Sequence, residues 1–302
     1  MMSNSQLTRR GMLRGTAGLA AAAMTGRWTA ATAAAPAAPS PRERIWDCHG
    51  HLGSLASTVE QCVDRLLVYA DRMGVERMVV CLGMQHSLDP SPEQIRRQND
   101  DVLRAVAHAP DRLLGFVYLS AKHPEVSLRE LDRCVRDGPM VGVKFLLAAV
   151  CTEPKLEPVV RRIAELKVPV LHHTFFRYGG PWPGESTPSD LVALAVKHPD
   201  VSFLCGHTGA DWELGVRAVR ATPNVLIECG GFEPRPGWIE MGVRELGPER
   251  VVFGSDFPGR SFASQLAKVD SADLAPAVRR MILSENLKRI LTPALAAKGA
   301  KI

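Results

Sequence analysis

A chain of 302 residues, 46% hydrophobic and 23% charged, can bury a large core without staples, and this composition excludes a disordered protein. The formal net charge of +5 overstates the basicity of the body. Residues 1–33 hold Arg9, Arg10, Arg14 and Arg27 and no acid, and without them the charge falls to +1, too little to point to nucleic acid or an anionic membrane.

The chain opens on what reads as an address. Thr8 to Arg14 (TRRGMLR) resembles the twin-arginine export motif. An apolar Gly/Ala-rich stretch runs from Gly15 to about Met24, Ala31-Thr32-Ala33 offers a small-x-small cleavage site, and a Pro/Ala linker reaches Pro41. The apolar run is shorter than the roughly 20 residues needed to span a bilayer. Residues 1–41 are therefore expected to be a signal peptide and linker. The remainder, 42–302, would be exported to the periplasm or another extracytoplasmic space, with no stable membrane anchor. Seven cysteines are scattered at Cys48, Cys62, Cys81, Cys134, Cys151, Cys205 and Cys229, with no CxxC pair. They read as small buried hydrophobes rather than a disulfide framework.

From residue 42 a pattern repeats every 30 residues or so. Runs rich in Val, Ile and Leu at 44–49, 77–82, 113–119, 141–147, 168–173, 201–206, 224–229 and 250–255 predict strands. Amphipathic segments at 58–73, 91–108, 125–137, 154–166, 187–198, 211–221, 236–246 and 273–291 predict helices, with starts marked by Thr58, Ser91 and Thr187. About eight such units make one α/β domain, a (β/α)8 barrel. The alternative, a doubly wound open sheet, wants a Gly-rich phosphate loop after the first strand, where this chain has Asp-Cys-His-Gly-His.

Active sites of such barrels lie at the C-terminal ends of the strands. There the apolar runs end in polar groups. The first strand carries His49 and His51, two apart and so on one side, with Gly50 between them. The fourth carries Lys144, the fifth His172 and His173, the sixth His207 and the eighth Asp256, while Glu228 at the end of the seventh reads equally as a partner behind these groups or as a structural acid. Imidazoles and a carboxylate converging at one barrel end suit a divalent metal, zinc first, with manganese or iron as alternatives.

These motifs are D-C-H-G-H at 47–51, G-V-K at 142–144, P-V-L-H-H-T at 169–174, G-H-T-G at 206–209, F-G-S-D-F-P at 253–258 and S-E-N-L-K-R-I-L at 284–291. Together they resemble the amidohydrolase superfamily over residues 44–292. The nearest branch is the one that includes the α-amino-β-carboxymuconate-semialdehyde decarboxylase-like enzymes. The resemblance implies that His49, His51 and His173 bind the metal. His207 then either binds a second metal or stands beside the first and polarises the substrate. Asp256 binds or flanks the metal and moves a proton. Lys144 is implied either as a carboxylated bridge between two metals or, the reading preferred here, as an unmodified lysine facing the substrate. Alternation puts only one of His172 and His173 inside the barrel, and the motif favours His173.

Three functions compete. The first is hydrolysis of an amide, ester or lactone of a small substrate by metal-activated water. The second is non-oxidative decarboxylation of a small unsaturated or aromatic acid. The third is an exported metal-binding protein without turnover, against which Asp256 argues, since storage needs no base. Arg177 and Arg260 lie on loops at the mouth and could clamp a substrate carboxylate. Trp182, Trp212 and Trp238 could wall the pocket, and His86 could reach the site from the loop after the second strand.

Overall fold

The computed structural model describes residues 44–85, 87–147, 150–231 and 235–300. The expected leader over 1–41 and His86 lie outside them. In chain order the elements are β1 (Ile45–His51), α1 (Val59–Met73), β2 (Val75–Cys81), α2 (Pro92–His108), β3 (Leu113–Leu119) and α3 (Pro124–Leu131). Then come β4 (Gly142–Phe145), α4 (Glu157–Leu166), β5 (Val170–His173), α5 (Pro188–Ala195), β6 (Phe203–Gly206), α6 (Trp212–Val219) and β7 (Val225–Glu228). The chain ends with α7 (Trp238–Leu246), β8 (Val251–Val252), α8 (Phe262–Asp270), α9 (Pro276–Arg280) and α10 (Asn286–Ala297).

The strands pair in parallel in the order β1 to β8. Backbone bonds from Cys48 N to Phe253 O (3.0 Å), Asp256 N to His49 O (2.7 Å) and His51 N to Phe257 O (2.7 Å) join the end of the sheet to its start. The result is a (β/α)8 barrel. Helices cover the outer face and side chains fill the inside, so strands such as β3 are buried at every residue. That is why they read as continuous apolar runs rather than as alternating ones. Burying each large aliphatic or aromatic side chain contributes about 1.5–3 kcal/mol.

Local signals act where the sequence places them. Thr58 caps α1 by accepting from Gln61 N, and Gly74 ends it in a left-handed conformation. Ser91 forms a capping box with Gln94, and Thr187 forms one with Asp190. Three features differ from the sequence reading. The ladder of β8 stops at Val252 instead of 255, because Phe253 turns its N–H to Ile282 O and the following residues bend over β1. A helix absent from the sequence reading, α8, starts at Ser261, whose side chain accepts from Ser264 N. The single helix expected over 273–291 is α9 and α10, joined by a π turn at Met281–Glu285 and reaching Ala297. No helix among the described residues is long and apolar enough to cross a membrane.

Candidate metal centre

The β1–β8 seam builds the first half of the site. A register shift between Asp47 and Gly50 bulges β1 at the two residues between them. Asp47 Oδ1 accepts from the backbone N–H of His49 and of Ser255, each at 2.9 Å, and so fixes the bulge to the chain leaving β8. Burial pushes the Asp47 carboxyl up to about 7 against those hydrogen bonds. Asp256 then lies over both histidines of β1. Its Oδ1 is 3.2 Å from His51 Nε2 and 3.7 Å from His49 Nε2.

The second half comes from β4 to β7. Lys144 is completely buried, with Nζ 3.0 Å from His49 Nε2. His173 Nδ1 meets His207 Nε2 at 3.1 Å. The donor atoms of His49, His207 and Asp256 lie within 4.8 Å of one another. All the strand-end residues expected at the centre are thus together, and His207 is as close to it as any. His207 and Asp256 both have left-handed backbones (φ 60° and 57°), as does Thr208 (φ 47°). Such conformations cost of order 1–3 kcal/mol each and persist only where surrounding bonds fix them.

The hydrogen bonds behind the imidazoles decide which nitrogens are bare. A carbonyl or carboxylate oxygen only accepts, so the nitrogen facing it carries the hydrogen. His49 Nδ1 faces Glu228 Oε1 at 3.1 Å, His173 Nε2 faces Glu185 Oε1 at 3.0 Å, and His207 Nδ1 faces Gly230 O at 3.1 Å. Burial, the largest cause for each, keeps these three rings neutral. It holds His207 down to about 4 and lowers His49 and His173. Their other nitrogens therefore carry lone pairs. Two of these, on His173 and His207, face each other with no hydrogen between them. Burial also lowers His51, but the Cys81 sulfur and Asp256 outweigh it and raise the ring to about 10. Its Nδ1 donates to Cys81 O at 3.0 Å and its Nε2 to Asp256. Converging lone pairs beside a carboxylate need positive charge between them. The donor set fits a divalent cation, with His49, His207 and Asp256 best placed to hold it and His51 and His173 beside them.

The remaining candidates divide between those placed as expected and those that are not. His172 packs on the helix side against the Phe145 ring (centroids 5.6 Å apart), leaving His173 inside. Arg177 does not stand open as a carboxylate clamp. Its guanidinium holds Glu185 at 2.6 and 2.8 Å and stacks on Phe175 and Trp182. Arg260 lies on the turn after β8, where it lines an open apolar cleft with Tyr69, Phe257 and Phe262. Trp238 is buried against Trp212, whereas Trp182 is half exposed. The sequence reading missed Glu185, which sits in an irregular loop with no periodicity to mark it. It also missed Lys268 on α8, whose buried ammonium donates to Cys229 O at 2.8 Å.

The fold and this centre define a metal-dependent barrel enzyme. Residues 46–292 match the amidohydrolase family, and the chain belongs to it. It is similar to γ-resorcylate decarboxylase of Polaromonas sp., with 36% identity over 284 residues that cover 76% of this chain and 86% of that protein. Among solved structures it resembles 2,6-dihydroxybenzoate decarboxylase from Rhizobium (TM-score 0.67, 20% identity, 83% of this chain and 99% of that one). It also resembles 5-carboxyvanillate decarboxylase from Novosphingobium aromaticivorans, solved with manganese and a nitrobenzoic acid (TM-score 0.64, 17% identity, 83% and 96%). At these identities the structural matches speak for the fold.

Proposed function

We propose that this protein is a metal-dependent, non-oxidative decarboxylase of a small aromatic acid bearing a ring hydroxyl. The observation that carries the reading is the 36% identity to a γ-resorcylate decarboxylase across most of both chains. It favours decarboxylation over the first expectation from the sequence, hydrolysis of an amide, ester or lactone bond, which the same ligands would also serve. The metal is manganese in this reading, as in the carboxyvanillate enzyme, rather than zinc. When bound, it supplies Lewis-acid charge that holds an anionic oxygen of the substrate.

The chain's own groups suit the rest. The bond from ring carbon to carboxylate breaks, the ring keeps the electron pair, carbon dioxide leaves, and a proton takes its place. Lys144 places a buried amine beside the ligand nitrogen of His49, where an anionic substrate group would meet it. Burial would raise the Asp256 carboxyl, but the protonated His51 ring that donates to it outweighs this and holds it well below the usual carboxylate range. It is therefore ionised at rest. It takes the proton of the ring hydroxyl and returns it to the ring carbon, with His207 at its side.

The test is to incubate manganese-loaded protein with carboxyl-13C 2,6-dihydroxybenzoate in D2O. Labelled bicarbonate and one deuterium on the ring are expected. No bicarbonate from that or related hydroxybenzoates, together with proton release from an amide or lactone panel, would restore the hydrolase. We further infer that residues 1–41 direct export by the twin-arginine route, on the strength of Arg9-Arg10 and Ala31-Thr32-Ala33. Exported protein beginning at Met1, or undiminished export with both arginines changed to lysine, would overturn that.

A further inference from the structure

Glu228 closes β7 at the centre of the barrel and is completely buried. Its carboxylate receives N–H groups from three segments. His49 Nδ1 donates to Oε1 at 3.1 Å, the backbone N–H of His207 donates to the same oxygen, and Gly230 N donates to Oε2 at 2.5 Å. Room for it depends on two missing side chains. A Cβ on Gly254 would lie 2.3 Å from Oε2, and one on Gly230 would lie 2.6 Å from it. A carboxylate accepts on both oxygens and suits three donors, whereas a carboxamide brings a donor of its own to one of them.

We propose that Glu228 is the positioning carboxylate of the metal centre, acting through His49 and the His207 backbone. By accepting from Nδ1 it holds His49 in the tautomer whose Nε2 is bare. Lys144, an N–H donor on the opposite side of the ring, demands the same tautomer. By accepting from the backbone N–H it also holds His207 in its left-handed conformation. One side chain thus aligns ligands carried by β1 and β6. A partner behind a ligating histidine fixes both ring orientation and basicity, and losing it costs about 10–100-fold in metal affinity.

The inference rests on the metal reading of the site but not on the decarboxylase reading, and its test uses no turnover. Manganese and zinc binding are measured by calorimetry on wild type and Glu228→Gln, beside the melting temperature of both metal-free proteins. The variant must turn its amide nitrogen either toward Gly230 N–H, which opposes two donors, or toward His49, which moves the ring hydrogen onto Nε2. A Kd raised about 10–100-fold at a melting temperature within a few degrees of wild type is expected. An unchanged Kd, with or without a lower melting temperature, reduces Glu228 to a structural acid and overturns the proposal. A wild type that binds neither metal overturns the site reading instead. If the variant does not fold, long-range 1H–15N spectra of metal-free wild type at neutral pH decide. Nδ1–H on His49 supports the proposal, and Nε2–H sinks it.

Discussion

Replacing Asp256 by Asn should leave a folded, metal-loaded and nearly inactive protein. Asp256 has φ 57°, a conformation that Asn tolerates as well as Asp, so the backbone need not move. The bonds that place this turn, Asp256 N to His49 O at 2.7 Å and Arg260 N to Asp256 O at 3.0 Å, belong to the backbone and survive. What changes is the charge. The contact from His51 Nε2 at 3.2 Å becomes an ordinary hydrogen bond, a loss of about 1–2 kcal/mol, and the melting temperature falls by about 2–8 °C for a domain of this size. The sign with pH is fixed by the depressed carboxyl. Its stabilisation is present above its unfolded pKa of about 3.9 and is lost as pH falls through the folded value. The gap in melting temperature between wild type and variant is therefore widest above about pH 5 and narrows in acid. Turnover should fall further than stability, by about 10²–10⁴, or roughly 3–5 kcal/mol on the barrier, because an amide cannot carry the proton. The assay is carbon dioxide release per metal-loaded chain, with metal content measured on the same sample. Turnover within a few fold of wild type would refute the reasoning and move proton transfer to His207.

Changing His49 and His51 together to Ala should drop the bound metal from about one ion per chain to a trace in elemental analysis. It should also abolish the rise in melting temperature on adding manganese, worth about 2.7 kcal/mol at a hundred times Kd in wild type. Glu185→Gln should cost about 2–3 kcal/mol at neutral pH by denaturant titration, because Arg177 and His173 lose their charged acceptor. Burial raises that carboxyl, but bonds from His173, Arg177 and Trp182 outweigh it and hold it at about 2. The difference from wild type should therefore be complete above about pH 5 and fade as pH falls toward that value. Arg250→Met removes donors from the carbonyls of Val225, Arg220, Val219 and Thr222, at 2.7–3.1 Å. A loss of about 3–5 kcal/mol is expected, and a change below about 1 kcal/mol would mean that water or a rearrangement takes over those carbonyls.

The sequence by itself determined the eight strand–helix units, because apolar runs buried on both faces and capped amphipathic segments are local signals. It also determined that His49, His51, Lys144, His173, His207 and Asp256 share one end of the barrel. Each terminates its own apolar run, and parallel strands put all such ends on one side. It chose His173 over His172, and β5 does turn His173 inward. It could not see α8, whose start follows a turn and whose buried face includes Lys268 and Gln265 as well as apolar residues. Nor could it stop β8 at Val252, since Phe253 leaves the ladder for a partner on a distant π turn. What stands behind each ligand was decided only in three dimensions. Glu228 and His49 are 179 residues apart, and Glu185 lies in a loop without periodicity. Arg177 has the same sequence signature whether it faces a substrate or pairs with Glu185, and the fold chose Glu185. A lone pair's direction depends on the group behind the ring, and that group is supplied by contacts between strands rather than by any local pattern along the chain.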